Sequence, residues 1–485
     1  MSRPAAPMPM ASPAPRKPER RALAAALSLL LATSVAAQAG PIVFTTGDGS
    51  RFVLVADASV RQVHWVVATL ADGSDDPPGL EGLTMATMRA SLGGTWRTGC
   101  NDPAAERAAL VALGEAWQVK ITRPTDEAAA ATVLELTAKA EALGDTITFP
   151  RVLASLPVHR PEIGQQGPIA TLTLTTLAAA IPDVAARLVE RREQQALRDL
   201  PRAWMREMLG RADRHFGDPD NSVRSEVLAL AMPNAAELRQ REQPRMLAPS
   251  HEQALAVWAT TQHPTRSVHL LYGDFDAVAA RPALEAAFTR TTLPTPAPLP
   301  AAAPRPIRVS RTSIVPGTGK PKLALAWVLP PIPDPFVLTA ATAWLAGGAD
   351  SVVARALAKA GRRDCVVQAT APWPAAIDGR SLLLIEVDAP NGTDGLAATI
   401  VRACGDAVRE APADKDLQAA NSVLQQRWRT LGDDPRAIAT AMARAALMWP
   451  SSPVTPHWPA RIDGKAAGAV LQLVFTDQPV IVSRP

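Results

Sequence analysis

Histidine and cysteine are scarce in this chain of 485 residues. Seven histidines are scattered along it, and the three cysteines, Cys100, Cys365 and Cys404, share no close spacing. So few histidines argue against a histidine-based metal centre. An odd, widely spaced set of cysteines argues against a disulfide framework or a zinc knuckle. Buried free thiols are the expectation, with Cys365 and Cys404 the one plausible pair if an exported chain is oxidised. Aromatic residues are only 4%, but hydrophobic residues reach 47%, so large cores can still form. Several catalytic signatures are absent too. The sequence has no phosphate-cradling Gly-x-x-x-x-Gly-Lys, no Gly-x-Ser-x-Gly, no dinucleotide Gly-x-Gly-x-x-Gly after a strand, and no His-x-x-Glu-His in either direction. Those absences remove the usual phosphate, nucleophile and zinc-helix chemistries.

Net charge is equally uninformative once it is located. The whole chain is formally +4, and residues 1–39 alone carry five basic residues (Arg3, Arg16, Lys17, Arg20, Arg21) against Glu19. The remainder is formally neutral, so bulk charge gives no reason to expect nucleic-acid binding. Residues 1–39 read as a signal peptide. The basic cluster precedes an apolar run, Ala22 to Val35, too short to span a bilayer, and Ala37-Gln38-Ala39 before Gly40 fits a small-x-small cleavage site. Arg20-Arg21 lacks the fuller twin-arginine context. The expectation is Sec-type export to the periplasm or beyond, with no integral membrane span in the mature chain.

What the chain does contain is punctuated secondary structure in two similar halves. Strands are expected at Ile42–Phe44, Arg51–Val55 and Val63–Thr69, paired antiparallel through short turns. A tight acidic, proline-rich turn, Gly73 to Gly82, leads into a helix stopped at Gly93-Gly94-Thr95. Then come a helix Ala104–Leu113 ended by Gly114 or shortly after, a strand Trp117–Thr122, a helix Ala128–Ala142, a loosened loop over 155–170 and a charged helix Asp183–Leu209. Ser267–Tyr272 reads as a closing strand, followed by Gly273-Asp274-Phe275-Asp276 and a helix to Phe288. Leu293–Pro306 holds six prolines, which neither helix nor sheet tolerates, and marks a linker between 40–292 and 307–485. The second half repeats the first. Strand Lys322–Leu329, Asp334-Pro335 and Gly347-Gly348 echo strand Val63–Thr69, Asp76-Pro77 and Gly93-Gly94, and Pro479–Ser483 echoes Val268–Tyr272.

The turn Gly73-Ser74-Asp75-Asp76-Pro77-Pro78-Gly79, the following Gly82-Leu83-Thr84 and the pair Gly94-Thr95 resemble the insulinase/pitrilysin family of zinc peptidases, which includes the mitochondrial processing peptidases. The resemblance implies an α+β fold of two homologous domains, each an antiparallel sheet with helices packed on one face. It also implies a site. In the family two histidines four residues apart on this helix bind zinc, and the glutamate between them activates water. Laid on that motif, Met85 and Arg89 take the histidine positions and Met88 takes the glutamate. The family's third ligand falls by helix register nearest Asp199, with Glu193 earlier on the same segment. In active members an arginine and a tyrosine of the second domain hold substrate; Ala358 and Asp364 stand there.

The resemblance therefore implies a degenerate member without zinc, in which Met85 and Met88 pack a core and Asp199 is a vestige or part of a solvated charge face. A thioether is a poor zinc ligand, and a permanent guanidinium repels the metal. Three functions follow as expectations: partner subunit in a heterodimer with a zinc-bearing homologue, stand-alone periplasmic peptide-binding or scaffold protein, or metalloendopeptidase with unrecognised ligands.

Overall fold

Eleven strands and fifteen helices of this chain are described by a computed structural model covering residues 40–485 apart from 72–74, 78, 145–147, 167–168, 218, 232–246, 296–309, 317–318, 331, 333, 375–380, 411 and 452–453. The first half runs β1 (Ile42–Thr45), β2 (Arg51–Ala56), β3 (Val63–Leu70), α1 (Leu83–Ala90), α2 (Pro103–Thr122), α3 (Glu127–Leu143), α4 (Phe149–Ala154), β4 (His159–Gln166), β5 (Ile169–Thr176), α5 (Ile181–Glu193), α6 (Leu200–Gly217), α7 (Pro219–Ala231), α8 (His251–Thr261), β6 (Ser267–Gly273) and α9 (Ala277–Ala287). The second runs β7 (Arg311–Ile314), β8 (Lys322–Leu329), α10 (Pro335–Ala346), α11 (Val352–Lys359), β9 (Val366–Pro374), β10 (Ser381–Asp388), α12 (Leu396–Glu410), α13 (Asp414–Gly432), α14 (Pro435–Met448), α15 (Gly464–Val474) and β11 (Val480–Arg484).

The duplication read in the sequence is visible as topology. The first sheet has the order β1-β2-β6-β3-β5-β4 and the second β7-β11-β8-β10-β9. Leaving out β1, the two orders correspond strand for strand. Each contains one parallel pair, β2 with β6 and β7 with β11, within otherwise antiparallel pairing. The closing strand of each half therefore inserts beside the strand that precedes the first helix, β3 or β8. This corrects one expectation: β2 and β3 are not neighbours, because β6 lies between them.

Both faces of these sheets are covered, which explains the near-continuous apolar runs of β3, β6 and β8. On one face of the first sheet, Phe52, Trp65, Leu172 and Leu271 pack on Val184 and Leu188 of α5 and Leu284 of α9. On the other, Val66, Ala68, Val268 and Leu270 pack on Ile438, Met442, Ala443 and Ala446 of α14, which belongs to the second half. The second sheet is treated reciprocally: Ala324, Ala326, Leu384 and Val482 meet Val223 and Val227 of α7, from the first half. Each half lends the other one helix. His269, on β6, is a packed core histidine. It stacks on Phe52 at 4.7 Å, and its Nδ1 accepts a hydrogen bond from Trp65 Nε1 at 3.3 Å.

Other local readings need correction. Trp117–Thr122 is the last turn and a half of α2 rather than a strand. Gly114 reads as a stop, but it is a contact glycine inside the helix: a Cβ there would come within 3.4 Å of the His251 backbone nitrogen. Residues 159–166 and 169–176 form the antiparallel pair β4 and β5, with Pro161 accommodated on the edge strand next to an irregular register. The charged helix expected over 183–209 is two helices, α5 and α6, separated at 194–199. Helix α15, capped by Asp463, went unread. All three cysteines are free, Cys404 buried and the other two half-buried; burial pushes the Cys404 thiol up to about 12. Most of the expected linker lies outside the described residues, as do Gly73, Ser74 and Pro78 of the turn.

Candidate functional site

The acidic turn holds α1 by its beginning. Asp76 accepts from the backbone N–H of Gly82 at 2.6 Å and of Thr84 at 2.7 Å, satisfying donors at a helix start that has no side-chain cap of its own. Glu81 accepts from Gly79 N at 2.8 Å. Asp75 is clamped by both terminal nitrogens of Arg266, at 2.7 and 3.0 Å. The turn is thus tied to the segment just before β6, and α1 is fixed at the end of the first sheet.

The far end of α1 is held by a second polar set. Arg198 pairs with Glu106 and donates to the carbonyl oxygens of Thr95 at 2.8 Å and Thr98 at 3.1 Å. The hydroxyls of Thr95 and Thr98 donate to Glu190, both at 2.5 Å. Burial raises the Glu190 carboxyl, and the hydrogen bonds from Thr95, Thr98 and Arg187 outweigh it, leaving the group below its ordinary value. Arg191, fully buried, donates to Ser91 Oγ and lies 4.8 Å from the Trp258 ring. The Gly93-Gly94-Thr95 stop seen in the sequence is therefore built into a network reaching α2, α5 and the segment just before α6.

Between these anchors sit Met85, Met88 and Arg89, which the sequence resemblance lays on the family's ligand and base positions. Met85 and Met88 are 4% and 1% exposed, in a cluster with Leu83, Trp204, Met208 and Trp258. Met88 does one polar thing: its sulfur accepts from Gln262 Nε2 at 3.1 Å. Arg89 forms an ion pair with Glu207 of α6, whose side chain is 3% exposed. Glu207 is the acid opposite Arg89, and it escaped the sequence reading. Asp199 lies just before α6 and meets Arg206 at 3.5 Å and Arg202 at 3.8 Å. Burial holds its carboxyl above the ordinary value against those two arginines. Glu193 is held by Thr291 and Thr292, at 2.8 and 2.5 Å, and by Arg192 at 2.8 Å. In the second half Asp364 pairs with Arg362 at 3.2 Å.

This donor set does not fit zinc. Two thioethers and a guanidinium already neutralised by a carboxylate offer the ion no site. Among the described residues no group of three histidine, cysteine, aspartate or glutamate side chains is placed to hold a metal. Nor is any described helix long and apolar enough to cross a membrane.

No family model and no curated protein matches the sequence. Solved structures do match in fold. A protease from Helicobacter pylori aligns with a TM-score of 0.63 at 13% identity, covering 92% of this chain and 99% of that one. An inactive peptidase M16 domain from Pseudomonas fluorescens aligns with a TM-score of 0.63 at 14% identity, covering 92% and 98%. The first half of the periplasmic protease PqqL from Escherichia coli aligns with a TM-score of 0.56 at 12% identity, covering 92% of each. Against the whole of PqqL, this chain spans 47% of the length. Two duplicated α+β halves, the conserved order of their strands and these alignments together give the chain the fold of the insulinase/pitrilysin-type (M16) peptidases.

Proposed function

We propose that this chain is a non-catalytic member of the M16 peptidases that serves as the partner half of a zinc-bearing homologue. The observation that carries the reading is the ion pair of Arg89 with Glu207, standing with buried Met85 and Met88 where a hydrolytic site needs zinc ligands and a base. Without metal, base or substrate-holding pair, the chain has no means of stabilising a hydrolytic transition state. The frame around those positions is nevertheless fully engaged, from Asp75 and Asp76 to Thr95. A fold kept in that state can still supply surface. Its likeness to one half of a protease twice its length supports a pairing of two such chains. We further propose the boundaries 40–292, a linker 293–306 and 307–485, preceded by the secretion leader 1–39.

The test is co-expression with a zinc-bearing homologue from the same source, followed by size-exclusion chromatography and a peptidase assay. The expected result is a heterodimer burying more than about 1,000 Å², with no peptide cleavage by this chain alone. Separate elution at micromolar concentration, with the homologue fully active by itself, would replace this reading with a stand-alone binding protein. Cleavage by this chain alone would return it to the enzymes.

A further inference from the structure

A cleft of about 1070 Å³ opens beside Arg89, between the α2–α3 hairpin and the start of α6. Its volume is that of a ligand site. One wall is apolar, made by Leu110, Leu113 and Trp117 of α2 with Val133 and Leu134 of α3. Leu134 is 71% exposed, an unusual degree for a leucine facing a cleft. The rest of the lining is charged, with cations in excess. Arg89, Lys120, Arg198, Arg202 and Arg206 stand against the carboxylates of Glu106, Glu141 and Asp199.

These cations are not equally engaged. Arg198 is committed to Glu106 and to backbone carbonyls. Arg202 meets Glu141 at 3.2 Å and Asp199 at 3.8 Å, and Arg206 meets Asp199 at 3.5 Å, all across exposed or half-exposed side chains. Contacts of that length and exposure hold little energy and yield readily to a better acceptor. Arg89 differs from both. Glu207 anchors it from the buried side, while 38% of its side chain stays accessible. A guanidinium fixed at one nitrogen and open at the others is a preorganised carboxylate receptor.

The apolar end carries a second mark. Trp117 Nε1 and His251 Nε2 are buried without a hydrogen-bond partner, and His251 is only 3% exposed. Both line a narrow recess that shares Leu110, Leu113 and Trp117 with the cleft. Unmet polar atoms in such a place are costly, and a small polar group entering from the cleft relieves them.

We propose that this cleft binds an apolar carboxylate, with the carboxylate on Arg89, Arg202 and Arg206 at the rim, and the apolar body against the α2–α3 wall. The site stands on one chain's own residues and does not depend on the partner reading. The same chemistry is offered by two sources, the free C-terminus of an apolar peptide and a fatty acid.

Titration of the full chain, followed by tryptophan fluorescence, distinguishes them. The probes are acetyl-Leu-Leu-Leu with a free carboxylate, the same peptide as its C-terminal amide, and decanoate. At least one of the two acids saturates the signal with a Kd of about 100 μM or tighter, and the amide binds at least about tenfold more weakly than the acid peptide if the peptide is the source. Leu134→Asp places a like charge on the exposed wall and weakens binding of the preferred acid about tenfold at an unchanged melting temperature. Arg202→Glu weakens it as well, and neither change touches the core. The proposal is overturned if neither acid saturates by about 1 mM, if the acid peptide is the tighter ligand and its amide binds equally well, or if Leu134→Asp and Arg202→Glu leave the affinity of the preferred acid untouched.

Discussion

Helix α10 of the second half and helix α1 of the first follow corresponding strands, but their surroundings differ. Nine of the twelve residues of α10 are buried. It enters one continuous apolar cluster that gathers Leu325, Trp327, Leu338, Leu345, Ile385, Ile400 and Leu471. Helix α1 has eight residues, and its neighbourhood is laced with buried or half-buried ions: Arg89 with Glu207, Arg198 with Glu106, Arg266 with Asp75, and Glu190 under Thr95. Among the described residues, the second half closes the corresponding place on apolar packing. Buried ion pairs are a weak source of stability compared with apolar packing of similar volume. The ions of the first half are therefore not demanded by the fold. They hold α1 and the Gly94-Thr95 turn in a fixed geometry, and Arg89 with Glu207 ties α1 to α6.

The comparison can be broken at its strongest point first. Arg198→Met leaves Glu106, 1% exposed, without its partner, and is expected to cost about 3–5 kcal/mol in urea unfolding. Arg198→Met combined with Glu106→Met recovers most of that loss, because an apolar filling is tolerated there as it is around α10. A single-mutant cost below about 1 kcal/mol would show the network to be ornamental.

The pH dependence of stability is expected to live in the first half. Six of the seven histidines lie there. Burial pushes His269 down to about 3 and His251 down to about 4. Between those values and an unfolded pKa of about 6.5, the unfolded chain binds protons that the folded chain refuses. Stability is then complete above about pH 6.5 and falls as pH drops through that window, by about 2 kcal/mol per histidine at pH 5. Urea midpoints at pH 7 and pH 5 measure it, and His269→Phe should remove its share of the difference.

Paired glycines give the smallest and cleanest contrast. Gly94 has φ +126, and a Cβ would lie 2.9 Å from Thr98 O and against Arg198, whereas Gly348 has φ +148 with nothing within 4 Å. Gly348→Ala is expected to cost about 1 kcal/mol from backbone strain alone, and Gly94→Ala about 2 kcal/mol or more because strain and a clash add. Thermal unfolding of the two variants side by side checks the order.

Most of this was legible where the signal is local. Asp334 and Asp276 announce their helices because each caps one directly. The two strand, Asp-Pro, Gly-Gly sequences mark the duplication because their spacing is local, and Met85, Met88 and Arg89 are read from one helix. Features decided by distant parts of the chain were not legible. Gly114 looks like a stop until α8 is placed against it. Pro161 looks like a loop residue until it is known to lie on an edge strand. The strand between β2 and β3 comes from the far end of the half. Glu207 carries no local mark, since its partner Arg89 stands 118 residues earlier; Asp199 was nearer in register but faces Arg202 and Arg206 instead. The exchange of α7 and α14 between the sheets is likewise invisible to any local pattern.

The central claim is that Arg89 with Glu207, beside Met85 and Met88, leaves no place for zinc. Elemental analysis of the purified chain after dialysis against buffer containing about one equivalent of zinc tests it most directly, together with melting curves recorded with and without chelator. The account predicts well under one zinc per chain and superimposable melting curves. One tightly held zinc per chain, with a melting temperature lowered by chelator, would contradict it.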